Sequence, residues 1–233
     1  SLFDKLFLRR GLSFWRRMIL GKMNKTRLDP QECKAKPAVC CLAITKGCMF
    51  RCKMCYLWKE NKPHKDQLDV DVSYWKRFIE SLSIFTWEPP RINFVGGESL
   101  ICHETPSLIK YAAGLGCKTS LASNAYLIDE NISKNIAFSG LNEIILSLDS
   151  IKQETHDFLR GIKGSFCKVI SAIDYLAKNA ADVRININTV ITQVNLEGII
   201  DLAKWCIGDS RIESVNFLAV TQPFDTKKVD NWH

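Results

Sequence analysis

The sequence lacks any apolar run long enough to cross a membrane: its longest runs, such as Ala38 to Ile44, fall far short of the ~20 residues that a spanning helix needs. Low-complexity tracts, Gly/Ser linkers and internal repeats of short fixed period are also missing, which excludes collagen-like, fibrous and disordered classes. No secretory signal is recognisable, because charges interleave the N-terminal apolar residues and no small-residue cleavage site follows. Acidic charge is in deficit, with 25 Asp and Glu against 32 Lys and Arg, for a net +7. What is present is an ordinary globular balance, 46% hydrophobic and 24% charged over 233 residues. A packed core follows, and one domain is the expectation, since single α/β barrels commonly reach this length. The chain reads as a soluble or peripheral protein of the cytoplasm.

The basicity belongs to one segment. Residues 1–27 hold eight Lys or Arg (Lys5, Arg9, Arg10, Arg16, Arg17, Lys22, Lys25, Arg27) against Asp4 alone, which accounts for the whole net charge and leaves residues 28–233 neutral. Phe3, Phe7, Phe14 and Met18, with Leu8, Leu12, Trp15 and Ile19, recur at helical spacing, so residues 1–37 read as a basic amphipathic arm interrupted at Gly11. Such a helix either packs under the main domain with a solvated basic edge or lies on an anionic membrane or polyanion. The chain begins at Ser1 rather than Met, so upstream residues are expected.

Residues 38–233 alternate between short β-rich runs and longer amphipathic segments. Ala38–Ile44, Ile92–Val95, Lys118–Ala122, Glu143–Leu148, Arg184–Val190 and Ser214–Leu218 read as strands, mostly of the continuous apolar kind buried on both faces. Helical spacing links Val72, Trp75, Phe78, Ile79 and Leu82, and again Phe166, Val169, Ile170, Ile173 and Ala177. Thr105 reads as an N-cap with Pro106 opening a helix to about Leu115, Asp129 or Asn131 starts another, and Leu196–Cys206 is the last. Alternation of this kind predicts parallel βαβ units with all strand C-terminal ends on one face. An open doubly wound sheet is the alternative to a barrel. After the sixth strand too few residues remain for another crossover helix, so a truncated portion of a longer chain is expected.

Ten cysteines are many for a reducing compartment, yet too few for a disulfide scaffold. Cys33, Cys40, Cys41, Cys102, Cys117, Cys167 and Cys206 are isolated or sit in apolar segments, where a free thiol serves as a small buried hydrophobe. Cys48, Cys52 and Cys55 differ: they form C-x3-C-x2-C in the loop after the first strand. A structural zinc site takes four ligands, usually in paired knuckles, and no second C-x2-C knuckle exists. Three close thiolates instead suit three irons of a [4Fe–4S] cube whose fourth iron is left open.

This loop resembles that of the radical S-adenosylmethionine (SAM) superfamily, and the resemblance runs from about Ala38 to Leu218. It implies a partial (β/α)6 TIM-like barrel, an α/β fold, with Cys48, Cys52 and Cys55 holding the cluster and SAM on the open iron. Reductive cleavage of SAM would then give a 5′-deoxyadenosyl radical that takes hydrogen from substrate. Gly96-Gly97-Glu98 is similar to the family's G-G-E turn at the SAM ammonium, with Ser99 where many relatives have Pro. Ser123-Asn124-Ala125 is similar to a Ser/Thr-Asn-Gly turn, with Ala in place of Gly. Ser147 and Asp149 resemble a Ser-x-Asp segment at the ribose and methionine, and alternate residues share a face. His156-Asp157-Phe158-Leu159-Arg160-Gly161 resembles a stretch common in the peptide-modifying and molybdenum-cofactor branch. Within it, Arg160 is the candidate for the SAM carboxylate or, failing that, an exposed Arg at a helix start, and His156 is structural. Asn188 and Tyr56 are further candidates, the latter beside the adenine.

The implied partners are a low-potential donor such as ferredoxin or flavodoxin and a peptide or protein substrate, or alternatively a small molecule such as a lipid precursor or nucleotide. Membrane proximity would come from the basic arm. A non-catalytic Fe–S module that binds nucleic acid or membrane is the reading from another class, and the neutral body speaks against a broad polyanion-binding face.

Overall fold

Each of the six apolar runs is a strand in the computed structural model, which describes residues 37–57, 69–84 and 89–220. In chain order the elements are β1 (Val39–Thr45), α1 (Val72–Ile84), β2 (Arg91–Gly96), α2 (Thr105–Gly114), β3 (Thr119–Ser123), α3 (Glu130–Phe138), β4 (Glu143–Ser147), α4 (Gln153–Arg160), α5 (Ser165–Asn179), β5 (Arg184–Ile191), α6 (Ile199–Gly208) and β6 (Ile212–Ala219). Neighbouring strands are parallel and stand in sequence order from β1 to β6. Parallel βαβ units in unbroken sequence order curl into a partial barrel rather than a doubly wound sheet, whose strand order would reverse. The basic arm and Cys33 lie outside the described residues.

Helix ends follow local chemistry. Asp129 caps α3 by accepting from the Ile132 amide at 2.8 Å, as an N-cap carboxylate should. The start of α2 differs from expectation: Glu104 precedes the helix without a side-chain cap and Thr105 is already helical, because its hydroxyl donates instead to the Ser99 carbonyl at 2.6 Å. The last helix begins only at Ile199, after a 3-10 turn over Leu196–Gly198. Helix α4 was not evident in the sequence. Its eight residues hold only Phe158 and Leu159 as large apolar groups, too few for a periodic signal.

The hydrophobic core lies between the sheet and the helices. Ile44, Phe94, Leu121, Ile144, Leu146 and Ile187 from the strands meet Ile79, Leu108, Ile109, Ile136, Val169 and Ile173 from the helices, all fully buried. Each such side chain contributes about 2 kcal/mol of transfer free energy. The opposite face of the sheet is filled only in part: β3 and residues 185–187 of β5 are buried on both sides as expected, whereas β1 is not, which corrects the expectation there. Cys41 and Ala43 are exposed between buried Leu42 and Ile44, and β2 and β4 alternate likewise. A barrel that stops at six strands leaves its inner wall accessible. Cys41, on that wall, is therefore exposed; Cys167 on α5 is exposed and Cys40 half-buried, against expectation, whereas Cys102, Cys117 and Cys206 are the buried hydrophobes expected. Among the described residues no helix is long and apolar enough to cross a membrane.

Candidate functional site

Parallel strands deliver the ends of β1 to β5 to one rim, and the cysteine loop leaves β1 there. The Thr45 hydroxyl accepts from the Gly47 amide at 3.0 Å and starts the turn. Phe50 is the loop's anchor, buried and set edge-on to Tyr126 at 5.5 Å between ring centroids. The Arg51 guanidinium folds back onto the carbonyls of Cys48 and Phe50, at 3.1 and 2.9 Å. Cys48, Cys52 and Cys55 are left half-buried.

Two neighbouring elements clamp this loop. From β2, Gly97 and Glu98 donate backbone hydrogen bonds to Thr45 and Gly47 at 2.8 and 2.7 Å. The approach is so close that a Cβ on Gly97 would lie 2.0 Å from the Gly47 oxygen. From the end of α4, the Leu159 carbonyl accepts from the Lys53 amide at 2.8 Å, and left-handed Gly161 packs where a Cβ would stand 2.4 Å from the Arg51 oxygen. The glycines of both motifs thus admit the loop's own backbone.

Glu98 is buried, and the chain's own donors occupy its carboxylate. One oxygen accepts from the Leu100 amide (3.1 Å) and the Ser123 hydroxyl (2.9 Å), the other from the Asn124 amide (2.7 Å). Burial still pushes its carboxyl up, against those donors. Glu98 therefore ties the end of β2 to the end of β3. Asn124 points its amide at the sulfurs of Met49 and Cys48, at 3.6 and 3.9 Å. Ala125 stands with φ 67° where the related turn has Gly, a left-handed position that costs a residue with a Cβ about 1–2 kcal/mol. Ser99 donates to the Val95 carbonyl at 3.1 Å and opens the 3-10 turn Ser99–Ile101.

The third group lies beyond β4. The strand ends at Ser147, one residue sooner than expected, so Asp149 sits in the loop and not on the strand's alternation. Asp149 accepts from Arg160 Nη2 (2.9 Å) and from the Val190 amide (3.0 Å). Its other oxygen is 2.7 Å from Arg160 Nε, yet that contact is too bent for a directed hydrogen bond, and both atoms remain buried without one. Arg160 ends α4 and is only 8% exposed, so it is neither exposed nor at a helix start. His156 is buried and accepts from the Asp149 amide at 3.2 Å, the structural part expected of it. Asn195, absent from the sequence-based candidates, is the most connected amide at this rim. It donates to the carbonyls of Asp149 and Val190 and accepts from both the amide and the hydroxyl of Thr192. Only a Thr-x-x-Asn turn signal could have pointed to it.

Ser147 and Asn188 are partners across β4 and β5, both half-buried on the inner wall, and Asn188 accepts from the Asn216 amide at 3.1 Å. Tyr56 is 44% exposed directly after Cys55. The structure thus brings Cys48 together with Asn124, and brings the end of α4, with Arg160 and its partner Asp149, up to the loop beside Cys52.

Electrostatics test whether the thiols fit an iron–sulfur cube. Burial pushes the Cys48 thiol up to about 11, reinforced by Glu98 and by Cys52 and Cys55 and opposed by the Phe50 amide. Burial also raises Cys52, opposed first by the charge of Arg160. Three thiolates that repel one another in a part-buried loop require a cationic group to hold them all deprotonated. Among the described residues no three His, Cys, Asp or Glu side chains close around a single-ion site, and three part-buried thiols on one loop are the donors that three irons of a cube take. The donor set fits.

Comparison with known proteins agrees. The chain is 30% identical over 163 residues to an AdoMet-dependent heme synthase of Oleidesulfovibrio alaskensis, covering 70% of this chain and 40% of that protein. It is 25% identical to the mycofactocin maturase MftC of Mycolicibacterium smegmatis, covering 76% of this chain and 44% of the maturase. The fold is similar to that of Streptococcus suis SuiB bound to S-adenosylmethionine, with a TM-score of 0.70, 20% identity and coverage of 85% of this chain and 44% of SuiB. The chain therefore spans less than half the length of these relatives. The Radical SAM superfamily profile matches residues 42–206, well over half of the sequence and inclusive of the three-cysteine loop. On that match the chain belongs to the radical SAM superfamily, a family of enzymes that use a [4Fe–4S] cluster and S-adenosylmethionine.

Proposed function

We propose that this chain is the core of an enzyme that cleaves SAM reductively and abstracts hydrogen from a substrate admitted through the open side of the partial barrel. The observation that carries this reading is the clamped loop of Cys48, Cys52 and Cys55 with Asn124, Asp149 and Arg160 held against it at one rim. When bound, the reduced cluster would supply one electron and SAM the sulfonium that accepts it, so that the S–C5′ bond would break with methionine as the leaving group and the 5′-deoxyadenosyl group would take the hydrogen atom.

The chain's residues bind, orient and exclude water. Cys48, Cys52 and Cys55 hold the cluster. Gly96, Gly97 and Glu98 form the turn that meets the SAM ammonium, with Ser123 and Asn124 beside it. Ser147, Asp149 and Asn188 serve the ribose and methionine parts, and Tyr56 the adenine. Arg160 turns Nε and Nη2 to Asp149, and the rest of its fork is assigned to the SAM carboxylate, which a guanidinium recognises well.

A peptide or protein substrate is supported by relatives named as the sporulation killing factor maturation protein SkfB, MftC and PqqA peptide cyclase, and by a fold neighbour, SuiB, solved with the precursor peptide SuiA. A small molecule is the second reading, favoured by the higher identities to heme synthase (30%) and to a nucleotide dehydratase of Selenomonas ruminantium (27%). A low-potential ferredoxin or flavodoxin supplies the electron in either case.

The test is anaerobic reconstitution followed by dithionite reduction with SAM. Chromatography should detect 5′-deoxyadenosine from the wild type and none from Cys52→Ala, which should also lose the cluster absorbance. A Cys52→Ala protein that retains the full cluster removes the ligand assignment, and a loaded wild type that never cleaves SAM removes the function.

A further inference from the structure

Arg160 sits between two acidic groups from different elements. Its guanidinium meets Asp149 at 2.9 Å through Nη2 and at 2.7 Å through Nε, and its charge reaches the Cys52 thiol and pulls it down. The placement is rigid. Residues on both sides of Arg160 are fixed to the cysteine loop, Leu159 through the Lys53 amide at 2.8 Å and Gly161 through close packing on Arg51. The carboxylate is fixed in turn, since Asp149 also accepts from Val190 and its carbonyl accepts from Asn195 at 2.8 Å. A permanent cation and a carboxylate are therefore held in series behind one thiol, both nearly out of solvent.

We propose that Arg160 is a positioning residue that raises the reduction potential of the cluster through Cys52, and that Asp149 is the opposing charge that limits the effect. The inference rests on Cys52 being a cluster ligand and goes beyond the contact with SAM assigned to Arg160 above. Reduction adds one electron to the cluster, supplied by dithionite or a low-potential protein donor, with no bond made or broken. No proton accompanies it, because a guanidinium does not titrate in the accessible range. A buried cation beside a ligand sulfur stabilises the more negative, reduced state, since net charge and hydrogen bonds to sulfur set such potentials. A buried anion behind it does the reverse.

The experiment uses the full chain, reconstituted without oxygen and titrated in the absence of SAM, with the reduced cluster followed by electron paramagnetic resonance. Arg160→Gln should bind iron as the wild type does and be at least tenfold harder to reduce, which for a one-electron couple is a fall of about 59 mV. Asp149→Asn should move the midpoint the other way, and Arg160→Lys should recover most of the wild-type value. Opposite signs separate this role from bracing alone, which would lower cluster content in both variants alike. If Arg160→Gln cannot hold the cluster, Asp149→Asn decides: a raised midpoint supports the proposal, and an unchanged or lowered one overturns it. Iron-loaded variants that titrate with the wild type also overturn it. A wild-type protein that never binds about four irons overturns the ligand assignment itself, and this inference with it.

Discussion

His156 is buried on α4, its Nδ1 accepting from the Asp149 amide at 3.2 Å, so the acceptor nitrogen must stay unprotonated and the ring neutral. Burial first, and then the nearby Arg160 charge, hold its pKa down to about 4 against the opposite pull of Asp149 and Asp157. An unfolded histidine titrates near 6.5. Between these values the unfolded chain binds a proton that the folded one refuses, so the contribution is fully present above pH ~6.5 and is lost as pH falls through about 4. The loss amounts to roughly 3 kcal/mol. Urea denaturation of His156→Gln, whose amide oxygen still accepts, should therefore show a shallower loss of stability from pH 7 to 4 than the wild type, and parallel curves would refute the assignment. Residues differ in how openly the sequence declares them. Cys48, Cys52 and Cys55 were legible as candidates because no packing role explains three thiols in a polar loop. Arg160 was legible as a candidate through its motif, whereas its pairing with Asp149 and Cys52 was not, because that depends on where α4 ends. Asn195 went unseen since a buried amide satisfied by four backbone and side-chain groups looks, in sequence, like any loop asparagine.

At the scale of elements, the cysteine loop is a strand extension gripped by a glycine turn and a helix end. Gly97 is the tighter grip, because the Gly47 carbonyl facing it is backbone and cannot rotate away. Gly97→Ala should cost about 3 kcal/mol, the upper range for overpacking, and reduce bound iron. Gly114→Ala is the matched comparison: nothing lies within 4 Å of its added Cβ, and the last turn of α2 should gain up to about 1 kcal/mol. Thermal unfolding and iron content of the two variants check this, and equal effects would show that the close approach is not what glycine provides. The strands were readable to within two residues, because six apolar runs separated by helical periods admit few arrangements. Two-sided burial holds for β3 and the middle of β5 but was misjudged for β1, for a physical reason. Val39-Cys40-Cys41-Leu42-Ala43-Ile44 is apolar throughout, yet only alternate residues enter the core, and a continuous run conceals that alternation.

In the whole molecule, the groups that hold the fold and the groups that hold the cofactor are almost separate. The core comprises the helix-facing side of the sheet and the apolar faces of α1, α2, α3, α5 and α6, and none of Cys48, Cys52 and Cys55 belongs to it. Phe50 alone roots the loop in the interior. Removal of the cluster should therefore leave the barrel folded. Chelation of iron from the reconstituted protein is expected to preserve the far-ultraviolet circular dichroism and a single cooperative transition, at a lower midpoint because a group that binds only the native state no longer stabilises it. Amide hydrogen exchange should quicken over residues 46–56 while β3 and β4 keep their protection, since local opening follows local contacts. Loss of the dichroism on chelation would mean that the cluster organises the sheet as a structural zinc organises a small domain. The neutral, well-packed body argues against that, because β1 to β5 and their covering helices bury a continuous core without help from the rim.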